Sequence, residues 1–155
     1  MNIGKIYLKP MTKNDLNFVN TTRNLFSTRK WLENNNEISL EDTVAWFDRS
    51  APRWYIIYLN EDRVGYIRTS DDTGKSLCIG CDIHPDHRRK GIAFRAYKLF
   101  MEELYKNGYV LIWLDVYANN TAAYSLYDKL GFIPIGSRNN RDEAYVTMVH
   151  SREAK

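Results

Sequence analysis

Hydrophobic and polar positions change period along the chain, and each change marks an element. Residues 3–9 alternate as a short strand. Thr12 followed by Asp15 reads as a helix N-cap with an acid three residues on, opening a helix to about Asn24. Ser39 and Asp42 repeat the signal, and Leu40, Val44 and Phe47 supply the apolar stripe of a second helix ending near Ser50. Three strand-like stretches follow, 54–59, 63–69 and 76–83, the first two joined by Asn60-Glu61-Asp62 as a hairpin turn. From Gly91 the period lengthens: Ile92, Ala96, Leu99, Phe100 and Leu104 share one face, while Arg95, Lys98, Glu102 and Lys106 face away, and Gly108 closes the helix. Residues 109–116 are almost all apolar, as a strand covered on both faces must be. Asn120 caps a further helix with the stripe Ala123, Leu126, Tyr127, Leu130, ended by Gly131. Residues 132–137 and 144–150 complete a hairpin with its turn at Asn139-Asn140. The expected architecture is a mixed α/β (α+β) sheet with flanking helices. Its hairpins predict antiparallel pairs, and the strand–helix–strand unit around 91–108 predicts one parallel pair.

Composition narrows this little. The chain has 155 residues, 26% charged and 44% apolar, with a net charge of +3, which suits one globular domain over residues 1–155 and argues for no particular partner. No repeat, linker or low-complexity tract divides it. The longest apolar runs, 54–59 and 109–114, fall far short of the roughly 20 residues of a membrane span. The first ten residues lack the apolar core of a signal peptide, and two cysteines make no disulfide framework; a cytoplasmic location is the expectation.

The basic turn Arg88-Arg89-Lys90, just before Gly91, does change the picture. Cations at a helix start oppose the dipole by roughly a few tenths of a kcal/mol each, so an anion would reverse the term. A strand, a loop and then a helix start direct free N–H groups at one point, and a glycine lets a phosphate approach the backbone. A solvated basic turn with a glycine that relieves crowding is the alternative. Neither a Walker loop nor a dinucleotide-binding glycine fingerprint occurs.

Arg88–Ala93 reads R-x-x-G-x-A, directly after a strand. It is followed by a strand and then by the run Asn120 to Phe132, "N-x-x-A…L-Y-x-K-x-G-F". This pair of motifs resembles the GNAT superfamily of acyl-CoA-dependent N-acyltransferases, although the sixth position of the first motif is Ala rather than the commoner Gly. The resemblance implies a GNAT-like, mostly antiparallel sheet with a splay between the fourth and fifth strands. It also implies acetyl-CoA as co-substrate, with no metal. Carried over by position, the backbone of Cys81, Asp82 and Ile83 bonds the acyl carbonyl. Arg88, Arg89, Lys90, Gly91, Ile92 and Ala93 hold the pyrophosphate, Asn120 bonds the pantetheine arm, and Tyr127 lies near the thioester sulfur.

In that role Tyr127 protonates the departing thiolate, since a phenol is protonated at neutral pH. Spacing alone favours Tyr127 as a core aromatic, which the flanking motif reverses, and Asn120 also reads as a helix cap. Asp82, His84 and Asp115 are the candidate bases for the amine, and Asp82 is the one carried into the catalytic pair. Cys78, Cys81, His84 and His87 recur every third residue, but strand residues three apart point to opposite faces and cannot share one zinc. Cys81 as an acyl carrier is a further alternative.

The acceptor is expected to be a small-molecule or peptide amine, met by a monomer or a homodimer. The stretch Thr22-Arg23-Asn24, Ile38-Ser39 and Trp46-Phe47 is loosely similar to acetyltransferases of nucleotide-linked amino sugars and to those of protein N-termini. It nominates Arg23 and Asn24 to hold the acceptor and Trp46 to stack on it, although a helix Trp also serves as core. The rival from another class is a non-catalytic module binding acetyl-CoA or nucleic acid. Aromatics at core spacing and balanced charge argue against nucleic acid.

Overall fold

The computed structural model describes residues 4–152. They fall into two compact units, residues 4–69 with 80–97, and residues 70–79 with 98–152.

The first unit begins with β1 (Ile6–Pro10), a 3-10 turn (Lys13–Asp15) and α1 (Leu16–Asn24). The expected capping pair forms: the Asp15 carboxylate accepts from the Thr12 N–H at 2.8 Å, and also from Arg63 Nε at 2.8 Å. The helix ends at Asn24 as its pattern predicts; the Ile3 end of the expected first strand lies outside the described residues. A four-residue helix, α2 (Phe26–Arg29), follows where the sequence offers no periodicity. Then comes α3 (Leu40–Ser50), whose cap Ser39 accepts from the Asp42 N–H at 3.0 Å. Leu40, assigned to its apolar stripe, is exposed instead.

β2 (Tyr55–Leu59) pairs antiparallel with β1 and with β3 (Asp62–Ser70), and the order in this unit is β1-β2-β3-β4, with β4 spanning Ser76–Ile83. Met11, Leu16, Val19, Ile56 and Tyr66 form a buried core, with Phe18, Val44, Trp46, Phe47, Trp54 and Tyr58 packed against it. Burying several side chains of this size, at about 1.5–3 kcal/mol each, holds α1 and α3 on the strands.

The second unit takes the first half of β4, the end of α4 (Ile92–Lys106), β5 (Leu111–Tyr117), α5 (Thr121–Leu130), β6 (Ile133–Asn140) and β7 (Glu143–Ser151), in the strand order β4-β5-β7-β6. The expected parallel pair is β4 with β5. Its ladder runs over Ser76–Cys78 opposite Leu111–Trp113 and stops there, whereas β5 stays paired with β7 as far as Tyr117 opposite Tyr145. Ile112, Leu114, Val116, Met148, Tyr127 and Phe132 are buried.

The last hairpin turns at Arg141-Asp142, two residues beyond the expected Asn139-Asn140, which instead pair with Ala144 and Glu143. Arg141 and Asp142 take φ of +53° and +61°, the two left-handed residues of a two-residue hairpin loop. Arg141 there bonds and stacks on Tyr117, and Arg138 stacks on Tyr145, contacts that favour the longer ladder. Among the described residues, no helix is long and apolar enough to cross a membrane.

Candidate active site

The chain leaves β4 through His84, whose ring nitrogen caps a 3-10 turn (Pro85–His87) by accepting from the Asp86 N–H at 3.2 Å. Arg89 and Gly91 both have positive φ, +64° and +73°. A non-glycine residue there is uncommon, and such strain gathers at functional turns. α4 begins at Ile92, which is buried and anchors the helix start, and the first bond of the helical ladder is Arg95 N–H to Gly91 C=O at 3.2 Å. Helix geometry therefore places the Ile92 and Ala93 amides ahead of the ladder, and the first turn carries no acid. A Cβ built on Gly91 meets no atom within 4 Å, so the backbone at this turn is open to solvent. An exposed glycine, leading amides and two exposed cations, Arg89 and Lys90, suit a diphosphate.

Arg88 differs from those two in making contacts within the protein. Its Nε donates to the Ile83 carbonyl at 3.0 Å and its Nη2 to the Thr28 hydroxyl at 2.9 Å, so the guanidinium expected to grip phosphate fastens the turn to β4 and α2. Thr28 is buried.

At the end of β4, the Asp82 side chain is nearly buried and its Oδ2 accepts from Arg68 Nε at 3.1 Å. Tyr66, one strand over, is fully buried, and its hydroxyl has no well-formed hydrogen bond among the described residues. Burial, reinforced by the charge of Asp82, holds that phenol well above its usual range, so it keeps its proton. Burial also pushes the Cys81 thiol up, which keeps it neutral and disfavours the acyl-carrier alternative. Among the other candidate bases, His84 stacks on Phe18 at 6.4 Å between centroids. Asp115, in the second unit, accepts from the Thr147 hydroxyl at 2.6 Å and lies 3.5 Å from Arg138.

The residues nominated for the acceptor make contacts within the protein. Arg23 donates to the carbonyls of Asn36 and Asn34 at 2.6 and 2.8 Å, and burial lowers its pKa from the ordinary arginine value. The Asn24 amide donates to Ile38 C=O at 2.6 Å and accepts from Ile38 N–H at 2.9 Å, pairing with that residue as a strand would. Trp46 tilts against Trp54 at 4.7 Å and belongs to the packed core. Arg23 and Asn24 thus hold residues 34–38, and Trp46 packs against Trp54.

In the second unit, Asn120 caps α5 by accepting from the Ala123 N–H at 3.4 Å. Tyr127 is 7% exposed and tilts against Phe132 at 5.9 Å. Cap and core contact are therefore both real, as the alternatives had it. Sequence reasoning passed over Arg68, Tyr66 and Thr28. The signal for the first was an arginine inside strand β3, directly after the apolar run 64–67 and opposite a strand with glycine in its interior.

A family model described as the acetyltransferase (GNAT) family matches residues 21–132. The curated [Ribosomal protein bS18]-alanine N-acetyltransferase of Escherichia coli (strain K12) is 38% identical over 58 residues, 37% of this chain; the match spans only 39% of that relative's length. Among solved structures, the spermidine N-acetyltransferase from Vibrio cholerae in complex with CoA and spermine superposes with a TM-score of 0.86 at 18% identity, over 94% of this chain and 95% of that one. The aminoglycoside acetyltransferase AAC(6')-Ib in complex with coenzyme A gives 0.80 at 22%, over 96% and 95%. These likenesses show the fold, and the family match covers well over half of the sequence, including both motifs read from it. The chain belongs to the GNAT acetyltransferase family.

Proposed function

We propose that the chain is a single-domain, acetyl-CoA-dependent N-acetyltransferase that moves the acetyl group to a primary amine by direct attack in a ternary complex. The observation that carries this reading is the open backbone at Gly91, set at the start of α4 within the family's cofactor motif. Acetyl-CoA, when bound, supplies a thioester whose C–S bond breaks as the new C–N bond forms. In this reading the amides of Gly91, Ile92 and Ala93, with Arg89 and Lys90, hold the pyrophosphate. Asn120 orients the pantetheine arm with the amide that its capping role leaves over. Asp82 takes the proton the amine loses, and Tyr127 gives one to the departing sulfur, so the protons balance.

For the acceptor we favour a nucleotide-linked amino sugar. Its support is that the stretch resembling those enzymes is one hydrogen-bonded unit, Arg23 to Asn34 and Asn36, and Asn24 to Ile38. The second reading, a peptide N-terminal amine, rests on the partial match to the ribosomal-protein-alanine enzyme. An amine panel scored by release of CoA thiol, with acetylated products identified by mass, tests both. Release with amino-sugar nucleotides and none with peptides supports the first, and the converse supports the second. No release with any amine, despite acetyl-CoA binding, would identify a non-catalytic binding module.

A further inference from the structure

Four side chains of the first unit form a charged cluster beside β4 that the family motif does not include: Arg23, Tyr66, Arg68 and Asp82. Its geometry is set by an absence. A Cβ built on Gly80 would stand 2.5, 2.6 and 2.8 Å from Nη2, Cζ and Nη1 of Arg68, and those are the three nearest atoms to it. The guanidinium thus fills the space that a side chain at position 80 would take, two residues before Asp82, and its Nε reaches Asp82 Oδ2 at 3.1 Å. Of the two carboxylate oxygens of Asp82, Oδ2 is the one that Arg68 holds.

We propose that Arg68 is the positioning residue for Asp82, and that the bare backbone at Gly80 is the space that allows it. The inference rests on Asp82 as the acceptor of the amine proton. A carboxylate on a short stem has two rotatable bonds. Anchoring Oδ2 fixes both and leaves Oδ1 to meet the amine N–H in one orientation, an advantage realised as the proton moves. The Tyr66 phenol, kept protonated by its burial, adds no charge to the cluster.

The Gly80→Ala variant is the sharp probe. It keeps every charged group and adds one methyl, which displaces the flexible end of Arg68 rather than backbone. The expected result for Gly80→Ala and Arg68→Ala is that kcat and kcat/KM fall together by about tenfold, with acetyl-CoA affinity within about twofold of wild type. The double variant is expected to match Arg68→Ala alone, because both changes remove one interaction. Asp82→Asn sets the floor, with a loss of about a hundredfold or more.

An inactive Asp82→Asn beside fully active Gly80→Ala and Arg68→Ala overturns the positioning role and leaves the base assignment standing. A fully active Asp82→Asn overturns both. Loss of thermal stability in the folded variants with kcat unchanged shows a structural ion pair and overturns the proposal. If Arg68→Ala does not fold, the kcat of Gly80→Ala decides alone.

Discussion

Arg88 donates to the Thr28 hydroxyl at 2.9 Å, across sixty residues of sequence, while its Nε holds the carbonyl of Ile83. The first residue of the phosphate-loop motif is thereby a fastener between the turn, the end of β4 and a short helix. Thr28→Val keeps shape and burial but removes the acceptor oxygen of a charged donor. It is expected to cost about 1–2 kcal/mol, several degrees in Tm. Thr28→Ser should restore the loss, and acetyl-CoA affinity should stay within about twofold in both. Thermal melts and calorimetry check this; a Tm unchanged by Thr28→Val would contradict it.

Tyr127→Phe preserves a buried ring against Phe132 and deletes one hydroxyl. In the proposed role of proton donor to the leaving sulfur, Tyr127 should be missed in turnover and not in affinity. We expect kcat to fall by about a hundredfold with acetyl-CoA affinity within about twofold of wild type. Equal turnover in steady-state assays would return Tyr127 to a packing role.

Tyr105 bonds the His150 ring at 2.6 Å, and burial pushes its phenol up to about 12. The unfolded phenol ionises near 10, so this stabilising contribution is complete below pH ~10 and disappears as pH rises towards the folded value. Wild type should therefore outlast Tyr105→Phe in urea at pH 8, and the gap between their midpoints should narrow by pH 11. A gap that widens with pH would contradict the sign.

Most of the fold was legible because its signals are local. Thr12 with Asp15, Ser39 with Asp42, and Asn120 all cap where the sequence places them, and the parallel pair follows from one strand–helix–strand unit. Helix α2 was not legible, since four residues carry no period. The last turn was misplaced because asparagine takes left-handed φ readily, while long-range stacking of Arg138 and Arg141 on Tyr145 and Tyr117 settles the register. The turn at Gly91 was legible as a motif, but not the bond of its first arginine to Thr28, which is remote in sequence. The acceptor side of the site carries the weakest signal in the sequence. Side chains such as Arg23, Asn24 and Trp46 bond equally well to a ligand or to the protein, and here carbonyls, an amide and a second indole already hold them.

The central claim is that the turn at Gly91 receives the diphosphate of acetyl-CoA, and titration calorimetry of wild type, Gly91→Ala and Gly91→Asp tests it most directly. Gly91→Ala puts a methyl into open space and pays only the strain of its positive φ, about 1–2 kcal/mol. Gly91→Asp adds a carboxylate where the anion belongs. The account predicts measurable binding to wild type, modest weakening in the alanine variant, and loss of at least about a hundredfold in the aspartate variant while it remains folded. Acetyl-CoA affinity that is the same in wild type and Gly91→Asp would contradict it.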